Sequence, residues 1–149
     1  MRDGAYTRRI YGGPTARSSP SSLTLLVVDD ADDTRELYAT YFKGRGLRAL
    51  EAADGDLALK AIEREPPDAV ILDLDMPRLG GLEVIRAVRA DPGTQAIPIV
   101  VVSGAPERDT ALRAGADLCL PKPCRPDRLM AEVIRLLESR GRIEAGPPQ

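Results

Sequence analysis

Five short apolar stretches alternate with amphipathic stretches, and this alternation restricts the fold more than any other feature of the sequence. The apolar stretches are residues 23–30, 47–52, 68–73, 97–103 and 117–121. Most are runs of Leu, Ile and Val, which are typical of strands covered on both faces, whereas the second, "LRALEA", alternates and suits an edge strand. The order predicts a doubly wound α/β fold: a five-stranded parallel sheet with helices on both faces, joined by right-handed crossovers.

The stretches between the strands carry helix signals. The first helix is predicted to begin with Asp32 and Asp33 as its N-cap and to run through Phe42, with Leu37 and Tyr41 on its apolar face. The other predicted helices run from Asp54-Gly55 to Pro66-Pro67, over about 81–89, between Pro106 and Gly115, and from Pro126 onward with Leu129, Val133 and Leu137 on one face.

Length and composition indicate one folded domain. The chain has 149 residues, enough for one domain with a full core and too few for two ordinary ones. Residues 1–22 are rich in Gly, Pro, Ser and Arg without an apolar period, so we expect a flexible N-terminal tail there. The folded domain is predicted over residues 23–139, and residues 140–149 are predicted to form a flexible C-terminal tail.

Composition excludes several kinds of chemistry. Histidine is absent, which excludes Ser-His-Asp and Cys-His catalysis and histidine metal sites. Cys119 and Cys124 do not form a CxxC motif, and we interpret both as reduced, buried thiols. The net charge of −2 and the lack of a long apolar segment predict no nucleic-acid partner and no membrane partner. Because no secretory signal is evident, we expect a cytoplasmic protein.

Polar side chains follow four of the predicted strands. Asp29 and Asp30 end the first strand, Asp73 ends the third, Ser103 ends the fourth, and Lys122 follows the fifth. Ligands of open α/β sheets bind beyond the carboxyl ends of the strands, near the point where strand order reverses. Each residue alone could be an ordinary cap, turn former or surface charge. Their joint arrival at one edge predicts a binding site.

The residue types at this edge indicate phosphate and metal chemistry. The carboxylates of Asp29, Asp30 and Asp73 are hard oxygen ligands, which suit Mg²⁺. Lys122 can neutralise charge and hold a phosphoryl oxygen, and Ser103 can donate a hydrogen bond to another. A carboxylate that attacks phosphorus needs no general base, and positioning with charge stabilisation carries phosphoryl transfer.

The segments "VVDD", "LDLDMPRLGG", "VVVSGA" and "GADLCLPKP", in this order and spacing, resemble the receiver domain of two-component response regulators. The resemblance covers about residues 25–137, and we expect a stand-alone, single-domain receiver, with the excised receiver of a longer protein as the open alternative. It implies a flavodoxin-like fold with strand order 2-1-3-4-5. It also implies that the chain accepts a phosphoryl group from a sensor histidine kinase or a histidine phosphotransfer protein. The output would then pass to an unknown downstream protein, with the chain as a monomer or weak dimer.

The same resemblance assigns roles around the metal. Asp73 is implied to be the phosphoacceptor and to bind Mg²⁺. Asp30 is implied to be a direct ligand, and Asp29 acts mainly through water. The backbone carbonyl of Asp75 is the third protein ligand, and the Asp75 side chain tunes hydrolysis. We therefore expect that the chain is not an enzyme, except that it catalyses its own phosphorylation and dephosphorylation.

The remaining roles concern the switch. Ser103 is implied to be the hydroxyl that moves onto the phosphoryl group, and Lys122 pairs with that group. The resemblance also implies a cis peptide between Lys122 and Pro123. Cys119 stands where the family usually has Tyr or Phe, so we expect weaker or different coupling from Ser103 to the surface of helix four. Cys124 replaces a common aromatic residue.

Two other functions stay open at this point. "DLDMP" superficially resembles the nucleophile motif of haloacid dehalogenase-like phosphatases, in which Asp75 would be an acid/base catalyst. Against this, Met76-Pro77 replaces the expected Thr or Val, and the motif follows the third strand instead of the first. The other alternative is a degenerate receiver that serves only as an interaction module.

Overall fold

The computed structural model describes residues 23–76, 79–104 and 107–143, and strands and helices alternate throughout them. The strands are β1 (Thr24–Val28), β2 (Arg48–Ala52), β3 (Ala69–Leu72), β4 (Ile99–Ser103) and β5 (Leu118–Pro121). The helices are α1 (Asp32–Gly44), α2 (Gly55–Arg64), α3 (Gly81–Ala90), α4 (Arg108–Ala114) and α5 (Pro126–Ser139). The longest, α5, has 14 residues, and no helix within these ranges is long and apolar enough to cross a membrane. The predictions for residues 1–22, for Pro106 and for residues 144–149 lie outside the described residues.

The five strands form one parallel sheet in the order β2-β1-β3-β4-β5. This confirms the predicted flavodoxin-like order 2-1-3-4-5. The chain moves outward from β1 to β2 and returns to add β3, β4 and β5 on the other side. The order therefore reverses between β1 and β3, and the carboxyl ends of these two strands border the crevice where such sheets bind ligands.

Each face of the sheet is covered by its own helices. On one face α1 and α5 bury a core that includes Phe42, Leu129 and Val133. On the other face α2, α3 and α4 bury a core that includes Ile62 and Ile85. All residues of β1, β3 and β4 are buried, which is why the sequences of these strands are continuous apolar runs, while the edge strand β2 alternates. The predicted layers are confirmed.

The first helix turns a different face to the core from the one predicted. Its buried residues include Tyr38 and Phe42, whereas the side chain of Leu37 is 54% exposed. The helix is therefore rotated by about one residue from the predicted Leu37–Tyr41 face. The difference arises because Tyr38 finds a hydrogen-bond partner inside the protein, so a residue that is polar at its tip takes a core position.

The start of α1 also differs from the prediction. The N-cap is Ala31, with no side-chain cap, and Asp32 and Asp33 lie in the first helical turn. There the two carboxylates interact favourably with the positive end of the helix dipole. By contrast, Asp54 caps α2 through its side chain, which accepts a hydrogen bond from the Leu57 amide at 2.8 Å.

Packed structure continues past α5. The sequence placed residues 140–143 in a flexible tail, but the last two of them, Arg142 and Ile143, are buried against the domain. Ile143 is fully buried with the core under α1 and α5, and Arg142 is 4% exposed and donates to the Ala96 carbonyl. Arg140 pairs with Asp117 at 2.5 Å. Only one of the four residues has a large apolar side chain, which is why the composition of the segment did not reveal its anchor.

Candidate functional site

Backbone pairing places two aspartates side by side at the end of the sheet. The Asp29 amide donates to the Ala52 carbonyl of β2 at 3.1 Å, and the Asp73 amide donates to the Val28 carbonyl of β1 at 3.0 Å. Each residue is therefore held by the ladder of a neighbouring strand, one step beyond its own strand. This fixes both side chains above the crevice between β1 and β3.

Three carboxylates meet at this place. Oxygens of Asp29, Asp30 and Asp73 all lie within 4.8 Å of one another. Asp29 and Asp73 are each 4% exposed, and Asp30 is exposed to solvent. Two buried carboxylates beside a third repel one another strongly. A hard cation bound by oxygen ligands would relieve this repulsion, so the donor set fits a divalent metal ion such as Mg²⁺.

Lys122 and Ser103 complete the group. The Lys122 ammonium lies 3.5 Å from Asp73 Oδ1 and 3.8 Å from Asp29 Oδ2. Ser103 ends β4, is 4% exposed, and accepts a hydrogen bond from the Lys122 amide at its carbonyl, at 3.0 Å. The peptide between Lys122 and Pro123 is cis, as the resemblance implies. The described structure thus brings all five predicted residues to the same end of the sheet.

The electrostatics of Asp73 follow from this arrangement. Burial raises the pKa of the Asp73 carboxyl above its ordinary value, and the neighbouring Asp29 charge adds to the effect. The Asp75 amide and the Lys122 ammonium act in the opposite direction and stabilise the carboxylate. Without a cation, the anionic form of Asp73 is therefore held at a cost in free energy.

The chain after Asp73 turns back over its carboxylate. The Asp75 amide donates to Asp73 Oδ1 at 3.1 Å, whereas the Asp75 residue itself is exposed. Gly81, at the start of α3, lies so close that a Cβ atom there would be 2.7 Å from both the Asp73 carbonyl oxygen and the Leu74 Cα. Only glycine permits this approach of α3 to the end of β3. The role of the Asp75 carbonyl as a metal ligand stays a prediction.

Arg35 is a site-positioning residue that sequence reasoning missed. Its guanidinium donates to the Asp29 carbonyl at 2.9 Å, to Asp32 at 2.7 Å and to Glu51 at 3.2 Å. The side chain is 13% exposed. These contacts tie the loop that carries Asp29 and Asp30 to α1 and to the edge strand β2. In the sequence, only one feature could have pointed to this role: Arg35 lies about one turn into the helix that follows the acidic pair Asp29 and Asp30.

The two cysteines are buried and free of any disulfide, which confirms the sequence interpretation of their state. They lie on opposite faces of the sheet: Cys119 packs with the core under α2, α3 and α4, and Cys124 packs with the core under α1 and α5. Burial raises the pKa of both thiols, so they are less reactive than exposed thiols. The Cys119 carbonyl accepts a hydrogen bond from Arg108 of α4 at 3.2 Å.

Comparison with known proteins gives one consistent result. Residues 25–134 match the family model described as "Response regulator receiver domain". The chain is 37% identical over 114 residues to the DNA-binding response regulator MtrA of Mycolicibacterium smegmatis, covering 73% of this chain and 48% of MtrA. It is 39% identical over 118 residues to the response regulator MprA of Mycobacterium leprae, covering 77% of this chain and 51% of MprA.

Solved structures agree. The receiver domain of NtrX from Brucella abortus matches with a TM-score of 0.71 and 34% sequence identity, over 77% of this chain and 98% of that one. The chain spans about half the length of the curated relatives it matches.

These matches correct one prediction. The expectation of no nucleic-acid partner is wrong, because MtrA, a relative over the whole receiver, is named as a DNA-binding response regulator. The prediction was based on the net charge of this chain, which is the charge of a receiver domain alone. In relatives about twice as long, binding to DNA can be carried by residues that have no counterpart here, so the charge of the receiver does not report it.

Proposed function

Because the chain belongs to the response regulator receiver family, we propose that it is a phosphoacceptor switch of two-component signalling. Asp73 accepts a phosphoryl group from a sensor histidine kinase or a histidine phosphotransfer protein, with Mg²⁺ as cofactor. The observation that carries the proposal is the buried Asp73 carboxylate, which meets an acidic pair on one side and Lys122 on the other.

The chemistry requires only the groups at this edge. A carboxylate oxygen of Asp73 forms a bond to phosphorus as the bond between phosphorus and the donor breaks, and the donor leaves with its electron pair. Lys122 and Ser103 contact the transferred phosphoryl oxygens. A later attack of water on phosphorus releases inorganic phosphate and returns the Asp73 carboxylate, so the chain resets itself and turns over no other substrate.

The carboxylates of Asp29, Asp30 and Asp73, with the backbone carbonyl of Asp75, would hold Mg²⁺. When bound, the ion neutralises negative charge on the carboxylates and on the incoming phosphoryl group. The Asp29 loop is kept in place by Arg35, so the acidic pair stays in register with Asp73 before the ion binds.

The test is phosphorylation by a small-molecule phosphodonor with Mg²⁺, followed by intact mass spectrometry. We expect one labile phosphoryl group per chain, absent in Asp73→Asn and retained in the control variant Asp75→Asn. If the parent shows no adduct with any donor, the degenerate interaction module replaces this proposal. Rapid turnover of varied phosphomonoesters that is abolished by Asp75→Asn would instead indicate a haloacid dehalogenase-like phosphatase.

For the output, we propose that the receiver controls DNA binding by an effector region of a longer protein. The support is the name of the MtrA relatives and the fact that the receiver accounts for about half of their length. The test is binding of the complete gene product to its own promoter DNA, measured with and without the phosphodonor. Affinity that does not respond to phosphorylation would contradict this part of the proposal.

A further inference from the structure

A buried hydrogen bond joins α1 to the loop after β5. The hydroxyl of Tyr38 donates to the backbone carbonyl of Cys124 at 2.7 Å, and the two residues are 86 positions apart in the chain. Tyr38 is 3% exposed and Cys124 is 8% exposed, so water does not compete for either group. A carbonyl left without its partner at such a depth loses more free energy than an exposed one.

The two ends of this bond both lie next to the proposed phosphorylation site. Cys124 comes two residues after Lys122, with only Pro123 between them, and Pro123 restricts the backbone there. Tyr38 lies on the helix that begins directly after Asp29 and Asp30. The Tyr38 hydroxyl therefore connects α1, the helix that follows Asp29 and Asp30, to the loop that carries Lys122.

The loop has one anchor on each side of Lys122. On the β5 side, the backbone amide of Lys122 donates a hydrogen bond to the Ser103 carbonyl at 3.0 Å. After it, the Cys124 carbonyl is held by Tyr38. Without the Tyr38 hydrogen bond, the segment between Lys122 and the start of α5 at Pro126 loses this one buried polar contact, and the 3.5 Å approach of the Lys122 ammonium to Asp73 is held less tightly.

Tyr38 is suited to act as a permanent donor. Burial raises the pKa of its hydroxyl to about 12, with smaller contributions from Cys124 and from the negative charge of Asp29. The hydroxyl thus keeps its proton at physiological pH, and it lies close enough to Asp29 to respond to that charge.

We propose that Tyr38 is a positioning residue for phosphoryl transfer, which holds Lys122 in register with Asp73 through the Cys124 carbonyl. The proposal rests on the phosphoacceptor function proposed above. Tyr38 touches neither the donor nor the reacting carboxylate, so its effect on the reaction passes through the lysine.

The experiment compares Tyr38→Phe with Tyr41→Phe, which removes a hydroxyl from the same helix. The Tyr41 hydroxyl accepts an exposed hydrogen bond from Arg45 at 3.1 Å, and both residues belong to the end of α1 and its C-cap. Phosphorylation rates are measured against phosphodonor concentration in saturating Mg²⁺, at a temperature where circular dichroism shows every variant folded. We expect the maximal rate of Tyr38→Phe to fall ~3- to 10-fold, the size of one lost buried hydrogen bond, with the rate of Tyr41→Phe unchanged.

A second readout needs no phosphorylation. The chain has three lysines, Lys43, Lys60 and Lys122, so ¹³C labelling of the lysine ε-carbon gives three methylene signals. The Lys122 signal is assigned with Lys122→Arg. We expect Tyr38→Phe to shift the Lys122 signal and its response to Mg²⁺, and to leave the other two in place.

The outcomes separate the two proposals. A Lys122 signal and a maximal rate that both stay unchanged in Tyr38→Phe would overturn the positioning role, even if that variant is less stable. Equal losses of rate in both tyrosine variants would overturn it as well. If the parent itself takes no phosphoryl group, the proposed function fails, while the lysine spectra still decide whether Tyr38 positions Lys122.

Discussion

Replacing the phosphoacceptor with its neutral isostere, Asp73→Asn, is expected to stabilise the metal-free protein. Asp73 is 4% exposed, and its carboxylate lies within 4.8 Å of the two others. At an effective dielectric constant of about 20, like charges 4.8 Å apart repel by about 3.5 kcal/mol, and the Lys122 ammonium at 3.5 Å attracts by about 4.7 kcal/mol.

The repulsions and the cost of burial outweigh the attraction. The buried Asp29 carboxylate repels the Asp73 carboxylate with this full energy, and Asp30 repels it less because Asp30 is exposed. Desolvation of the buried Asp73 carboxylate costs several kcal/mol more. The Lys122 side chain is 32% exposed, so solvent screens part of its attraction. We therefore expect the free energy of unfolding in EDTA to rise by about 1–3 kcal/mol in Asp73→Asn.

The assay is urea unfolding at pH 7.5, followed by far-ultraviolet circular dichroism. Asp75→Asn is the matched control, because this exposed carboxylate should change stability by less than about 0.5 kcal/mol. Saturation with Mg²⁺ should narrow the difference, since an ion at ten times its dissociation constant stabilises the parent by about 1.4 kcal/mol. A variant that is equally stable or less stable than the parent in EDTA would refute the reasoning.

The pH dependence of this difference has a definite sign. The folded-state pKa of Asp73 is raised, so the cost of its anion applies above that pKa. As the pH falls through the raised pKa toward the ordinary value of 3.8, the folded parent takes up a proton and the cost disappears. The advantage of Asp73→Asn should therefore shrink on acidification, and an advantage that grows would contradict the assignment.

Two further pairs of substitutions test the fold. Gly81→Ala should lower the free energy of unfolding by about 1–3 kcal/mol, because the new Cβ meets the backbone of Asp73, whereas Gly44→Ala, whose Cβ meets nothing within 4 Å, should be neutral or stabilising in the same urea titration. Phe42→Ala should cost about 3–5 kcal/mol and the half-exposed Leu37→Ala less than about 1 kcal/mol; similar costs for the two would show that α1 presents the predicted face after all.

The sequence predicted the sheet well because its strands are buried on both faces. A short continuous apolar run such as residues 97–103, bounded by turn residues, is typical of a buried parallel strand, and parallel connections leave little choice of topology. The meeting of Asp29, Asp73 and Lys122 followed from the same logic, since every polar residue that ends a parallel strand arrives at one edge. Local sequence patterns were therefore sufficient to predict the features whose positions are set by the parallel sheet.

The features that the sequence did not predict depend on contacts between distant residues. Leu37 is more apolar than Tyr38, yet Tyr38 is buried because the Cys124 carbonyl, 86 residues away, accepts a hydrogen bond from its hydroxyl. Gly81 looks like an ordinary turn residue until its distance to Asp73 is known. The 140–143 segment is anchored by the single apolar residue Ile143. Spacing along the chain contains none of this information.

The most direct test of the central claim is to locate the phosphoryl group on the chain. The phosphorylated protein is treated with borohydride, which reduces an acyl phosphate to an alcohol and so converts the modified aspartate to homoserine, and the digest is sequenced by mass spectrometry. We predict homoserine at position 73 and unmodified aspartate at positions 29, 30 and 75. Homoserine at position 75, or a labile phosphoryl group with Asp73 intact, would contradict the claim that Asp73 is the phosphoacceptor.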